Sequence, residues 1–181
     1  MNEIDVLHSY LTFKLGDELF AANVGKVLEI LEIPRITKVP RSPGFMRGVI
    51  NLRGSVLPVI DTRTKFGLPQ EEDTINSCII VLDVEMEGQS IIIGSVVDAV
   101  QEVMEIEENQ IQPAPSVGSK YKTEFIEGMV KVQDQFIMML NLDKVFSSSE
   151  VSILQDLVQE KDGTKSIKEK KETSAKTKKS D

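Results

Sequence analysis

The stretch GVINLRGSVLPVID, residues 48–61, decides which fold this sequence can adopt. Two apolar runs of strand length, GVINL and SVLPVI, flank the pair Arg53-Gly54. Glycine reaches positive φ at little cost, so this pair predicts a tight turn that joins two strands. Pro58 cannot donate a backbone hydrogen bond, and it therefore predicts an edge position or a bulge for the second strand.

Strand patterns continue on both sides of this hairpin. YLTFKL alternates apolar and polar residues, GDE turns the chain and LFAAN resumes it, which predicts a hairpin. CIIVLDVE and QSIIIGSVVD around MEG predict a second hairpin, AVQEVMEI a further strand, and IEGMVKVQDQFIMMLNLD a third hairpin that turns at QDQ. VGKVLEILEI predicts one helical turn that opens into a strand, and PQEEDTINS predicts a polar, mobile loop.

Two helices are predicted. DTRTKFGL predicts a short helix that Asp61 caps and Gly67 ends. Ser147 and Glu150 have the spacing of a capping box, which predicts a second helix over residues 148–160. The apolar residues of this second helix fall on one face: Val151, Leu154, Leu157 and Val158.

Eight to ten short strands and one well-marked helix predict an all-β barrel or sandwich. Each half of the chain contains hairpins, so two similar small barrels are permitted, although no repeat of 20–50 residues is visible. Aromatic residues make up only 5% of the chain and Trp is absent. We therefore expect a core of Val, Ile, Leu and Met.

The net charge of −8 is unevenly distributed. Residues 161–181 contain eight Lys and four acidic residues, whereas residues 1–160 carry a net charge of −12. The tail has too little apolar surface to fold and is predicted to be disordered, so residues 1–160 form the folded domain. An acidic body disfavours nucleic acid and anionic lipid as partners. A solubilising role of the tail and a weak tether to an anionic membrane both remain open.

The sequence predicts a soluble cytoplasmic protein. The N-terminal segment has no basic signal region, and no apolar run approaches the roughly 18–20 residues of a membrane span. A single cysteine, Cys78, excludes an internal disulfide and a multi-cysteine metal site, which fits a reducing compartment.

Residues for catalysis are scarce. His8 is the only histidine, Cys78 opens an apolar strand, and acidic pairs such as Glu71-Glu72 and Glu107-Glu108 fall in polar loops. A nucleotide-binding loop, a serine-hydrolase elbow and a zinc-protease motif are all absent from the sequence. We predict no enzyme, no catalytic residue, no metal and no cofactor. The alternative is a small β enzyme that uses carboxylates.

Two charged residues stand out because they interrupt apolar stretches. Arg53 could be an ordinary turn residue in water, or it could present a fork of donors to a partner's acid or carbonyl. Glu29, among Val27, Leu28 and Ile30, could protect an edge strand from aggregation, or it could make a polar contact in an apolar docking groove.

The segment GFMRGVINLRGSVLPVIDTRTKFGL resembles the central signature of the CheW family of bacterial chemotaxis coupling proteins. YLTFKLGDELFAANVGKVLEI, VVDAVQEVMEIEENQIQPAP and FIEGMVKVQDQFIMMLNLDKVF resemble its opening, middle and closing segments. The resemblance implies two packed SH3-like barrels of five strands, with the C-terminal helix against one of them. Barrels of this family exchange strands, and we place the first at roughly residues 10–67.

The resemblance also implies a non-catalytic adaptor. Such proteins join the cytoplasmic tips of membrane-bound chemoreceptors to the regulatory domain of the histidine kinase CheA, and in array rings they contact other CheW-like domains. The residues that match the receptor-binding groove are Val27, Glu29 and Arg53, and those that match the kinase-binding surface are Arg47, Gly48 and Val56. At Arg47-Gly48, glycine is expected to allow the close approach of the kinase's barrel.

One departure and one ambiguity accompany the resemblance. Residues 21–23 read Ala-Ala-Asn, where the family usually keeps an acidic residue in third place. A surface-motility or other non-flagellar chemosensory pathway is as compatible with the sequence as flagellar chemotaxis.

Overall fold

The computed structural model describes residues 7–114 and 123–158 of the chain. Ten strands make up about half of the described residues: β1 (Ser9–Leu15), β2 (Glu18–Asn23), β3 (Val27–Glu32), β4 (Met46–Leu52), β5 (Ser55–Asp61), β6 (Cys78–Met86), β7 (Gln89–Val97), β8 (Ala99–Glu105), β9 (Ile126–Val132) and β10 (Gln135–Leu140). Two α-helices, α1 (Thr62–Lys65) and α2 (148–158), follow the parallel-paired strands β5 and β10. The all-β prediction is confirmed, as are the hairpin at residues 48–61 and the three other predicted hairpins.

The strands form two five-stranded sheets of the same design. Their orders are β8-β1-β2-β10-β9 and β3-β6-β7-β5-β4. In the second sheet, Thr37 beyond β3 bridges to Val49 on β4 and so joins the two outer strands. In the first sheet, Gln112 beyond β8 bridges to Met129 on β9 in the same way. Each sheet therefore closes on itself, and we call them barrel one and barrel two.

The barrels exchange strands. β3 follows β2 of barrel one in sequence but pairs with β6 of barrel two. β8 follows β7 of barrel two in sequence but pairs with β1 of barrel one. The placement of the first barrel at residues 10–67 is therefore wrong. β1 and β2 belong to one barrel, whereas β3, β4 and β5 belong to the other.

A long internal repeat accompanies this symmetry. Residues 45–66 and 125–146 align without a gap, beginning and ending with phenylalanine in both copies. Gly48 aligns with Gly128, and each is packed against the backbone of the residue that closes its barrel. The two copies begin 80 residues apart, a longer period than the 20–50 residues considered in the sequence, and they share few identical residues.

In the hairpin of β4 and β5, the prediction for the turn is confirmed and the prediction for Pro58 is not. Arg53 and Gly54 have φ of 50° and 85°, which is the doubly left-handed turn that matches the twist of a hairpin. Pro58, in contrast, lies in β5, which is an inner strand between β7 and β4. The edge prediction is wrong. The ladder has a bulge nearby, but on β4, where Arg47 is the extra residue between the pairs Met46–Ile60 and Gly48–Val59.

The largest hydrophobic core lies between the barrels, and each barrel has a smaller core inside. Contrary to the aliphatic core that we expected, phenylalanine rings cross the core between the barrels. Phe13 and Phe20 of barrel one contact each other with centroids 5.9 Å apart. The ring of Phe66, which directly follows α1, has its centroid 5.4 Å from that of Phe20 and 4.6 Å from that of Phe125. These stacked and tilted rings bury large apolar areas and join the two barrels.

An ion pair fastens each point where the chain passes between barrels. Arg63 of α1 donates to Asp98 in the β7–β8 connection, and Asp98 also accepts a 2.6 Å hydrogen bond from the Gly16 amide. Lys26 in the β2–β3 connection donates to Asp143 after β10, at 3.1 Å. Arg63 and Asp143 are at aligned positions of the two sequence copies, so the basic residue of one pair stands where the other pair has its acidic residue. The Arg63 side chain is 9% exposed and that of Lys26 is 32% exposed, so the first pair is the more buried.

α2 has the predicted capping box. The Glu150 carboxylate accepts a 2.8 Å hydrogen bond from the Ser147 amide, and the Ser147 hydroxyl accepts one of 3.4 Å from the Glu150 amide. Val151 and Leu154 are buried in the core between the barrels. Lys65 of α1 donates to Glu150 at 2.6 Å. The last two positions of the predicted helix and the tail 161–181 lie outside the described residues.

Candidate partner-binding surfaces

Arg53 reaches across the seam of barrel two. The turn between β4 and β5 projects it into solvent, with 74% of its side chain exposed. Its two terminal nitrogens donate to the two carboxylate oxygens of Glu29 on β3, at 2.6 and 2.8 Å. Two of the three predicted receptor-binding residues are therefore in direct contact, on elements 24 positions apart in sequence.

This pair is a planar, two-bond interaction between a guanidinium and a carboxylate. The hydrogen bonds from Arg53 lower the pKa of Glu29, and those to Glu29 raise the pKa of Arg53. Both groups stay charged near neutral pH. The Arg53 side chain is largely exposed and that of Glu29 is half-buried, so the pair is well hydrated on one side and adds little to folding stability. It is a fixed charge pattern on the protein surface.

Val27, the third predicted receptor residue, lies on the other face of β3. It pairs with Leu82 and packs against the core between the barrels, whereas Glu29 pairs with Val81, whose side chain belongs to the core of barrel two. Glu29 is on an edge strand of the ladder, so its edge-protecting role and its docking role are both compatible with the structure.

Two of the apolar neighbours that the sequence places around Glu29 are exposed to solvent. Leu28 and Ile30 are 53% and 46% exposed, on the same edge strand as Glu29. Leu28 is the extra residue of a bulge between Val27 and Glu29. Half-buried and exposed residues still alternate along the whole of β3, and Leu28 and Ile30 fall at exposed positions.

Arg47, a predicted kinase-binding residue, is engaged within the chain. Its two terminal nitrogens donate to Asp73 at 2.7 and 2.9 Å, and its Nε donates to Asp61 at 3.2 Å. Arg47 also lines an open cleft of about 520 Å³ together with Lys38, Met46 and residues of the loop after α1. The guanidinium is thus a wall of this cleft and an anchor for Asp73.

Gly48 is required by the chain's own packing. It is buried, its φ is 146°, and a Cβ atom would lie 2.1 Å from the carbonyl oxygen of Thr37. The backbone that approaches Gly48 closely is therefore that of Thr37 in the same chain. The expectation that Gly48 leaves room for the backbone of the kinase's barrel is wrong. Val56, the third residue of the group, is half-buried and packs against the core between the barrels.

Asn23, where the family usually has an acidic residue, has a local structural role. Its side-chain oxygen accepts a 2.8 Å hydrogen bond from the Gly25 amide and so caps the 3-10 turn Val24–Lys26. Its amide nitrogen donates to the Leu7 carbonyl at 3.1 Å. An uncharged side chain that both accepts and donates suits these two contacts.

The family model of the CheW-like domain matches residues 9–150 of the chain, which includes both barrels. The chain belongs to the CheW-like domain family. It is 35% identical over 140 residues to the chemotaxis protein CheW of Rhizobium meliloti, a match that covers 77% of this chain and 88% of that one. It is 33% identical over 151 residues to the chemotaxis protein CheW of Klebsiella aerogenes, covering 82% and 87%.

A solved structure of the same family has the same fold. The crystal structure of the scaffolding protein TtCheW from Thermoanaerobacter tengcongensis matches with a TM-score of 0.69 at 37% identity. The match covers 79% of this chain and 90% of that chain. The two-barrel architecture implied by the family resemblance is therefore confirmed.

The described part of this CheW-like chain contains no group of three or more His, Cys, Asp or Glu side chains that could hold a metal ion. Burial raises the pKa of the Cys78 thiol, which keeps it protonated and poorly nucleophilic. An enclosed cavity of about 20 Å³ between the barrels has room for about one water molecule. Within residues 7–114 and 123–158, no helix is long and apolar enough to cross a membrane.

Proposed function

We propose that this chain is a non-catalytic adaptor that couples chemoreceptors to the histidine kinase CheA. The observation that carries the proposal is the family match over residues 9–150. Relatives that align over most of their length are named chemotaxis protein CheW, and the similar crystal structure is named a scaffolding protein. The adaptor works in the cytoplasm, where the receptor tips of membrane-bound arrays recruit it.

The receptor-facing surface is centred on the Arg53–Glu29 pair. The exposed Leu28 and Ile30 supply apolar area on the same strand. Ile30 pairs with Ile80 and shares its face with Val27, opposite the face of Glu29. A helical receptor tip that lies on this strand would bury the two apolar side chains, while the charge pair sets its register. The docking energy comes from the buried area, and the specificity comes from the charges.

The kinase-facing surface is a separate region of barrel two, around Arg47, Gly48 and Val56. Its support is the cleft that Arg47 lines and the packing of Val56 at the rim of the core between the barrels. Two surfaces on one rigid body allow simultaneous binding of receptor and kinase, which an adaptor requires.

The test compares receptor and kinase binding of the wild-type chain and of Arg53→Glu. Each purified chain is used to capture a receptor cytoplasmic fragment and CheA from a defined mixture. We expect Arg53→Glu to retain CheA and to lose the receptor fragment, because the carboxylate at the turn then faces that of Glu29 on the docking strand.

Gln133→Glu is the matched control. Gln133 occupies the corresponding turn position on barrel one, also with positive φ, at 55°. This variant places the same glutamate at the matching turn position, with a charge change of one unit where Arg53→Glu changes two, and is expected to retain both partners. Equal receptor capture by the wild-type chain and Arg53→Glu would exclude the proposed receptor surface. Failure of the wild-type chain to capture either partner would exclude the proposed function.

A further inference from the structure

The loop that follows α1, residues 68–77, presents one apolar side chain to solvent. Ile75 is 100% exposed in a segment that is otherwise polar apart from Leu68, which packs against the core between the barrels. A single exposed isoleucine is common on protein surfaces. The loop around this one is unusual because it is tied to the barrel at several points, although its sequence predicts mobility.

The first half of the loop is fastened to α1. Arg63 donates to the Pro69 carbonyl at 3.1 Å and to the Glu71 carboxylate at 3.2 Å. Gln70 donates to the Thr64 hydroxyl at 3.1 Å. Since Arg63 is itself held by Asp98, these bonds connect the loop to the joint between the two barrels.

The second half is fastened by Arg47 and by its own turn. Arg47 holds Asp73 through two hydrogen bonds. The Thr74 amide donates to the Ser77 hydroxyl at 2.9 Å, and the Ser77 amide donates to the Thr74 carbonyl at 3.1 Å. Ile75 is inside this closed turn, so its backbone is fixed while its side chain stays in water.

The loop is continuous with the proposed kinase-facing surface. Gln70 and Glu71 form one wall of the 520 Å³ cleft whose other residues include Arg47 and Met46. Arg47 therefore belongs both to the cleft and to the anchor of the Ile75 turn. The loop also carries an exposed Glu72, so a partner with an apolar pocket and a basic rim would complement it.

We infer that the 68–77 loop is part of the kinase-binding surface, with Ile75 as its apolar contact and Arg47 as a positioning residue that acts through Asp73. The inference rests on the proposed function, because it takes the CheA regulatory domain as the partner. It assigns Arg47 a role different from direct contact, since its guanidinium already binds Asp61 and Asp73. A preformed loop loses little conformational freedom on binding, which favours affinity.

The test measures the affinity of the full-length chain for the isolated CheA regulatory domain by calorimetric titration. Ile75→Ser should weaken binding by about 10-fold or more, the effect of losing one buried isoleucine side chain, and Ile75→Leu should restore most of it. Ile153→Ser is the control, because Ile153 is an exposed isoleucine on α2, away from the cleft. It should leave the affinity within about 2-fold of wild type.

A double-mutant cycle tests the positioning role. Asp73→Asn should weaken kinase binding by itself, but it should have no further effect when Ile75 is already serine, because no side chain then remains to be positioned. Additive losses would overturn the positioning role of Arg47 and Asp73. Thermal unfolding of each variant shows that the fold is retained.

The outcomes separate the two proposals. If the wild-type chain binds the kinase domain and Ile75→Ser binds it equally well, the loop inference is overturned and the adaptor function stands. If the wild-type chain does not bind the kinase domain at all, both are overturned. Weaker kinase binding of Ile75→Ser with unchanged binding to a receptor fragment supports the inference.

Discussion

The two barrels show what a common fold requires and what it leaves free. Along the aligned segments 45–66 and 125–146, buried and exposed positions coincide almost residue for residue. The charged surface positions do not coincide. Arg47 aligns with Glu127, and Arg53 aligns with Gln133. Core and turn geometry are therefore shared by both barrels, whereas the charge pair proposed for receptor binding exists on barrel two.

The strongest test of the shared geometry is the glycine that each barrel needs at its closing bridge. Gly48→Ala should cost about 3 kcal/mol or more, because the new Cβ meets backbone atoms and φ is left-handed. Gly128→Ala places its Cβ 2.5 Å from the Gln112 carbonyl oxygen without a left-handed φ, and about 2 kcal/mol is expected. Denaturant unfolding measures both values. Equal stability of wild type and Gly48→Ala would contradict this packing.

The two ion pairs at the strand exchange should differ in strength. Arg63→Ala leaves Asp98 without its main partner in a partly buried site and should cost about 3 kcal/mol. Lys26→Ala breaks a more exposed pair and should cost about 0.5 kcal/mol. The difference in urea midpoints, with Arg63→Lys as an intermediate, measures the contrast. Similar midpoints for the two alanine variants would show that burial does not distinguish these pairs.

The pH dependence of unfolding tests the more buried of these ion pairs, Arg63–Asp98. Burial raises the pKa of Asp98, but hydrogen bonds from Arg63 and the Gly16 amide outweigh it, and the net pKa is lowered. A carboxylate with a lowered folded-state pKa stabilises the fold above its unfolded pKa, and this contribution is lost as the pH falls below about 4. Unfolding free energies measured from pH 6 to pH 3 should fall less steeply for Asp98→Asn than for wild type. The same pH dependence for Asp98→Asn and wild type would contradict the lowered pKa of Asp98.

The smallest effect on stability is expected at the turns that differ in charge. Arg53→Gln and Gln133→Arg make each barrel resemble the other at this position. Because both side chains are exposed, neither variant should shift the thermal unfolding midpoint measurably. Receptor binding should fall for Arg53→Gln and should not change for Gln133→Arg. A receptor fragment that binds Arg53→Gln as tightly as wild type would contradict the role of the charge pair.

Local chemistry made most elements predictable from the sequence. Gly54, Gly67 and the Ser147–Glu150 box each set a turn or a helix end through their own backbone preference. The assignment of strands to barrels was not predictable, because β3 and β8 choose their partners across long sequence distances. The failures at Pro58 and Gly48 have the same origin, since the neighbours that decide them are distant in sequence.

The candidate sites were likewise predictable where a local pattern marks a residue, and not where distant residues determine its role. Arg53 and Glu29 were found because a charge inside an apolar stretch is visible in a sequence, and the family resemblance named them together. Their direct contact depends on the closure of barrel two, which no local pattern encodes. Ile75 was missed because one apolar residue in a polar loop indicates nothing until its exposure and the anchors of the loop are known.

The adaptor role is tested most directly by CheA autophosphorylation in receptor-containing membranes, with and without this chain. Addition of the wild-type chain should raise kinase activity and make it sensitive to receptor ligand. Arg53→Glu should fail to do so, while Gln133→Glu should act like wild type. Kinase activity that stays the same whether or not the wild-type chain is present would contradict the account.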